Sequence, residues 1–227
     1  MPKLKMPKKS TSIDMTALCD FTLLLLTFFI MSSHFKPQEI VEVAVPSSTS
    51  TKEIPMGFIQ ITVDKDGRVF YTVDNINLKR NLIQEINSTK GLGLNEAEMN
   101  SFVNGPSIGV PFTKLKSYLA MNPTEQAEYD KITPGVPTDT TNSFTSNELL
   151  YWINTTRYQA QVLDMDQPRF AIKVDGLTPY VEKTNRIIST LGKLNIYRFS
   201  YITNPRAIPA GTALYEKQQQ PKEEVAQ

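Results

Sequence analysis

The chain has one cysteine, one histidine and one tryptophan among 227 residues. A lone cysteine, Cys19, excludes an intrachain disulfide and leaves the redox compartment unspecified. A lone histidine, His34, by itself makes neither a catalytic triad nor a metal centre, because each needs further partners or ligands. The P-loop pattern G-x-x-x-x-G-K-[ST], the nucleophile elbow G-x-S-x-G and the zinc motif H-E-x-x-H are all missing. Several carboxylates populate the later part of the chain, but no spacing singles out a catalytic pair. The expectation is therefore no enzyme, no catalytic residue, no metal and no cofactor. An excess of charge of one sign is lacking too, with 24 Lys+Arg against 23 Asp+Glu. No basic patch is interleaved with aromatics, so nucleic acid is not an expected partner. Long apolar runs are also scarce, with one exception.

That exception is Met15 to Ser33, MTALCDFTLLLLTFFIMSS. A membrane-spanning helix needs roughly 17–25 mostly apolar residues, and this run meets the short end. Leu18, Phe21, Leu23 to Leu26, Phe28, Phe29 and Ile30 each favour insertion by about 0.3–0.6 kcal/mol. Asp20 lies among them and opposes insertion by about 2.5–3.5 kcal/mol. The sum is near balance, so insertion is expected to be helped by a partner. Lys3, Lys5, Lys8 and Lys9 precede the run without an acid among residues 1–12. By the positive-inside rule they place the N-terminus in the cytoplasm and the rest of the chain across the membrane. A cleaved leader would need a small-x-small site near Ser33, and an acid in its apolar core argues against it. A lipoprotein signal would put its cysteine after the core, whereas Cys19 precedes most of it.

An ionisable residue in such a segment is costly and by default functional. Residues four and seven apart share a helix face. Thr16, Asp20, Leu24, Thr27 and Met31 thus form one stripe, away from Phe21, Leu25, Phe28 and Phe29. A polar stripe should face protein or water. The plainer reading is that the threonines bond back to their own helix and Asp20 snorkels to the interface. Asp20 sits about a turn and a half inside, a long way for a short side chain.

At these residues the sequence resembles the ExbD/TolR family of biopolymer-transport proteins. Ile13-Asp14-Met15-Thr16-Ala17-Leu18-Cys19-Asp20 follows the family pattern I-[ND]-[MV]-T-P-x-[VI]-D, ahead of a Leu/Phe-rich run. The last aspartate of that pattern is the family's proton carrier and falls on Asp20. The sequence departs from the pattern at Ala17, where proline is usual, and at Cys19, where an aliphatic residue is usual. Ile40-Val41-Glu42-Val43-Ala44-Val45-Pro46-Ser47-Ser48 is similar to the family's segment after the membrane, an extended linker able to pair with another strand. Val41, Val43, Val45 and Pro46 are its candidate pairing residues, and an ordinary stalk is the alternative.

Beyond the linker, alternation predicts a hairpin, Phe58–Val63 and Arg68–Val73, around the turn Asp64-Lys65-Asp66-Gly67. Asn77 is the expected cap of a helix from Leu78 to Ile86, with Leu78, Leu82, Ile83 and Ile86 facing a core. Phe170–Val174 is an expected strand ending at Asp175-Gly176, where Asp175 turns or caps rather than titrates. Pro179 opens a helix to Leu191, with Val181, Ile187, Ile188 and Leu191 inward. Ile196–Ile202 is the last expected strand. Helices are also predicted over Asn95–Phe102, Lys114–Met121, Thr124–Asp130 and Ser146–Gln161, the last with Thr145 and Glu148 as a capping box and Trp152 as core.

The expected fold class is α+β: a transmembrane helix, then a mixed sheet with two helices on one face and an inserted, mostly helical subdomain. The expected divisions are 1–12 basic tail, 13–34 membrane helix, 35–56 linker, 57–88 first half-domain, 89–167 insert, 168–204 second half-domain and 205–227 tail.

The resemblance implies a proton-driven energising subunit in the inner membrane, with its C-terminal domain periplasmic. It implies an ExbB/TolQ-like polytopic partner enclosing two copies of the helix, and a TonB/TolA-like protein carrying motion onward to outer-membrane transport. Asp20 would carry the proton, and Thr16, Leu24 and Thr27 would line its path. The alternatives are a single-pass anchored scaffold and a TolR-like subunit for envelope maintenance.

Overall fold

The computed structural model describes residues 15–32, 41, 43–49, 57–138, 147–176 and 181–205. The lysine-rich start, Ile40, Glu42, His34, Thr145, Pro179 and the 206–227 tail lie outside the described residues. The chain divides into a first unit, residues 1–38, and a second, residues 39–227.

Helix α1, Met15–Ser32, is the described part of the first unit. It is the one described helix long and apolar enough to cross a membrane. None of its residues is buried.

The second unit is built on a four-stranded mixed sheet. The predicted hairpin is present as β2, Ile59–Val63, antiparallel to β3, Val69–Val73. Its turn places Gly67 at φ 72°, a conformation open to glycine. β4, Phe170–Val174, joins β2 in parallel, and β5, Phe199–Tyr201, joins β4 in parallel. The order is β3-β2-β4-β5. Register aligns Ile59 with Val73 and Phe170, and Ile61 with Tyr71 and Ile172. Side chains alternate between faces with period two, so these residues share one face, and all are buried. The last strand is shorter than expected. Ile196 is spent on the turn after the preceding helix, its N–H bonding to Leu191 O, and Ile202 follows the strand.

Helices α2, Ile76–Lys90, and α7, Val181–Lys193, cover that face. Leu78, Leu82, Ile83 and Ile86 of α2 are buried, with Ile187 and Leu191 of α7, while Ile188 is half-buried. The cap of α2 is Asn75, not Asn77. Its side chain accepts from Leu78 N at 3.0 Å, so the helix starts two residues earlier than predicted.

A third helix packs against both. α6, Glu148–Val162, touches α2 and α7 and buries Leu149, Trp152, Ile153 and Ala160 in the same core. The stretch between the half-domains also supplies α3, Glu96–Asn104, α4, Phe112–Leu119, and α5, Pro123–Tyr129. Asn95 with Glu98 and Asn122 with Glu125 form capping boxes for α3 and α5. The predicted box for α6 is replaced. Asn147 caps it, accepting from Leu150 N, and Glu148 instead accepts from Phe112 N at 2.8 Å. Pro111 stands at the N-cap of α4 and offers no side-chain oxygen. Glu148 therefore caps α4 from another helix.

Trp152 is fully buried core, as predicted. It stacks on Phe102 at 5.7 Å and on Phe112 at 5.1 Å and lies 5.8 Å from Tyr71. These rings come from α6, α3, α4 and β3, so one aromatic cluster joins the intervening stretch to the sheet.

That stretch also closes one edge of the sheet. Tyr71 and Ile108 exchange backbone hydrogen bonds at 2.8 and 2.9 Å. Val136 N donates to Val69 O at 2.8 Å. Both approaches require glycine nearby. A Cβ on Gly109 would stand 2.3 Å from the Phe70 ring, and one on Gly135, at φ 83°, would stand 2.6 Å from Val69 N.

Candidate functional site

Two places hold the residues picked out from the sequence: the helix α1 and the junction where the linker meets the domain.

In α1 the acid stands in the second turn. Helical geometry puts Thr16, Asp20, Leu24 and Thr27 on one side. All are exposed on the isolated helix. Thr27 Oγ1 donates to Leu24 O at 2.8 Å, and Thr22 Oγ1 donates to Cys19 O at 2.8 Å. Back-bonding of this kind satisfies a hydroxyl donor within the helix, which lets threonine sit in an apolar setting. Thr27 retains its oxygen lone pairs as acceptors. Asp20 is the one carboxylate in α1, and no Lys or Arg lies in the helix to neutralise it.

At the junction, Val41, Val43 and Val45 are half-buried and Pro46 is exposed. Ala44 N donates to Asp175 Oδ2 at 3.1 Å, and Gly176 N donates to Ala44 O at 2.8 Å. Asn204 N donates to Pro46 O at 3.0 Å. Strand pairing then begins one residue beyond Pro46. β1, Ser47–Ser48, runs parallel to β6, Asn204–Pro205. Asp175 is buried and binds the linker backbone.

The domain's other buried polar groups tie elements together. Asp64, fully buried, accepts from Asp66 N and Arg68 N through Oδ1. Arg68 Nε and Nη2 both donate to Asp64 Oδ2. Arg68 Nη1 donates to Asp130 O at 3.0 Å and Lys131 O at 2.6 Å, tying the hairpin turn to the end of α5. Asp130 is buried and accepts from the Tyr118 hydroxyl at 3.0 Å. Burial pushes its carboxyl up to about 6, against opposing effects of Tyr118 and Arg68. Burial likewise raises Glu148, opposed by the Phe112 N–H and Lys90, and lowers Lys79, whose ammonium donates to Gly105 O at 2.7 Å. Among the described residues no group of three or more His, Cys, Asp or Glu could hold a metal ion.

Sequence reading missed the Asp64–Arg68–Asp130 connection. Asp64 was visible as a turn residue and Arg68 as the start of the returning strand, but Asp130 meets Arg68 across 62 residues of chain. No local pattern announces such a contact. The capping boxes of α3 and α5 did have a signal, N-x-x-E, at Asn95 and Asn122.

Compared with models of protein families, residues 6–206 match the one described as biopolymer transport protein ExbD/TolR. The match runs through the helix, the linker, both half-domains and the stretch between them. Comparisons with curated proteins and with solved structures found no match.

Proposed function

Since this chain belongs to the ExbD/TolR family of biopolymer-transport proteins, we propose that it is a proton-driven subunit in which Asp20 carries the proton. Members of this family are energy-transducing subunits that generally work with ExbB/TolQ and TonB/TolA partners. One observation supports the role of Asp20: it is the lone carboxylate in an otherwise uncharged, mostly apolar α1, at the family motif's acidic position.

The proposed cycle uses the two forms of that acid. Protonated, Asp20 is neutral and tolerates an apolar surface. Ionised, it needs a polar site, which a polytopic partner would provide. Proton entry from one side and exit to the other makes the alternation directional. One charge crossing about 100 mV releases about 2.3 kcal/mol, enough to bias a small rotation of the helix. Thr16 and Thr27 would flank the acid as acceptors, and Leu24 would space them. Two copies of the helix would sit within the partner. The basic N-terminus would be cytoplasmic and the domain periplasmic, in the inner membrane. The linker through Val41, Val43, Val45 and Pro46 would pass motion to the domain, and the domain to a TonB- or TolA-like protein.

Asp20→Asn is the test. It should leave the protein at normal level in the membrane and abolish proton-gradient-dependent uptake, while Asp20→Glu retains part of it. Full uptake with Asp20→Asn would overturn the proton-carrying role and favour an anchored scaffold.

A further inference from the structure

The segment after α5 is a strap. Arg68 holds the carbonyls of Asp130 and Lys131. Thr133 Oγ1 donates to Gly109 O at 2.8 Å, and Val136 N donates to Val69 O. The strap therefore binds the β2–β3 hairpin at its turn and along its outer edge. Its backbone turn is closed by Ile132 N and Thr133 N, both donating to Tyr129 O.

Asp130 stands at the head of the strap and is 2 % exposed. Its Oδ2 accepts from Tyr118, whereas its Oδ1 is buried without a hydrogen-bond partner among the described residues. A buried carboxylate satisfied at one oxygen only is an unstable arrangement, and a neutral carboxyl fits it better. We propose that Asp130 is a proton-operated latch: neutral, it lets the strap close on the hairpin; ionised, it drives the strap open so that the carboxylate reaches water. This is independent of the role proposed for Asp20.

The groups around Asp130 agree with this direction. From α4, Tyr118 donates its hydroxyl, and burial together with Asp130 makes it a weaker acid than an ordinary phenol, so it stays neutral. From the hairpin turn comes Arg68, a permanent cation, but its charge is shared with buried Asp64 and with Asp66 at 3.6 Å. On the strap's own side are Glu128, Tyr129, whose ring lies 6.0 Å from that of Tyr118, and exposed Lys131. Burial holds the Asp130 carboxyl at about 6 against an ordinary 3.8. The closed strap thus keeps its proton at pH values where an open one would release it.

Hydrogen exchange of the full chain in detergent reads this directly, with rates normalised to those of unstructured peptide at each pH. The strap amides of Lys131, Ile132 and Thr133 should lose protection by about tenfold between about pH 5 and about pH 7.5. In Asp130→Asn that loss should vanish, with protection at the higher pH equal to that of the wild type at the lower. Tyr118→Phe removes the donor that favours the anion, so the midpoint should move to higher pH. Unchanged protection across this range in the wild type, or a surviving pH dependence in Asp130→Asn, overturns the latch. So does a midpoint in Tyr118→Phe that stays or falls.

Discussion

At the scale of single residues, Asp130 has a consequence for the stability of the domain. Between an ordinary carboxyl at 3.8 and a native one at about 6, the folded chain binds more protons than the unfolded chain. Stability therefore falls as pH rises from about 4 to about 6, by up to about 3 kcal/mol, and levels off above. Guanidinium unfolding followed by Trp152 fluorescence at several pH values measures this, and Asp130→Asn should flatten that part of the profile. Glu148, also raised by burial, adds a dependence of the same sign. Gly109→Ala tests sterics instead. Its Cβ would meet the buried Phe70 ring, and a loss of about 1–3 kcal/mol is expected from the forced shift. Little of this was legible in the sequence. Trp152 could be recognised as core because it lies in an apolar helix set. Asp130 could not be singled out, because its surroundings come from α4, α5 and the hairpin turn.

At the scale of elements, the sequence was more readable. The alternation of Ile59, Ile61 and Val63, and the spacing of Leu78, Leu82, Ile83 and Ile86, placed β2 and α2 and oriented both. Helix starts were less secure, because Asn75 and Asn77 are both good caps and lie two residues apart. The structure separates them: Asn75 accepts from Leu78 N, and Asn77 is an exposed residue within the helix. Asn75→Ala should cost about 1 kcal/mol and Asn77→Ala close to nothing, measured as shifts in the thermal midpoint. Glu148 shows the limit of local reading. The T-x-x-E pattern suggested a box within its own helix, yet its carboxylate caps α4. Glu148→Gln keeps an acceptor and should be mild, whereas Glu148→Ala strands the Phe112 N–H and should cost about 1–2 kcal/mol.

For the whole molecule, the hairpin–helix and strand–helix–strand halves were legible, and so was the membrane helix, because each repeats a period over many residues. The way the long intervening stretch joins the core was not. Its aromatic contacts pair Trp152 with Phe102, Phe112 and Tyr71, and no periodicity encodes such pairings. Trp152→Ala should cost about 3–5 kcal/mol, read by loss of helical circular dichroism at lower denaturant. Trp152→Phe should cost less, since it keeps the ring stacking and removes an indole N–H that is buried without a partner among the described residues. The covering of β3 also bears on how copies of this chain assemble. Sheets add to one another edge by edge, and a molecule with two open edges can propagate such additions without end. Here Ile108 and Val136 occupy the backbone groups of Tyr71 and Val69 on one side. Addition at that edge is closed, which leaves at most the other edge of the sheet for such growth and so denies it the second open edge that endless propagation needs.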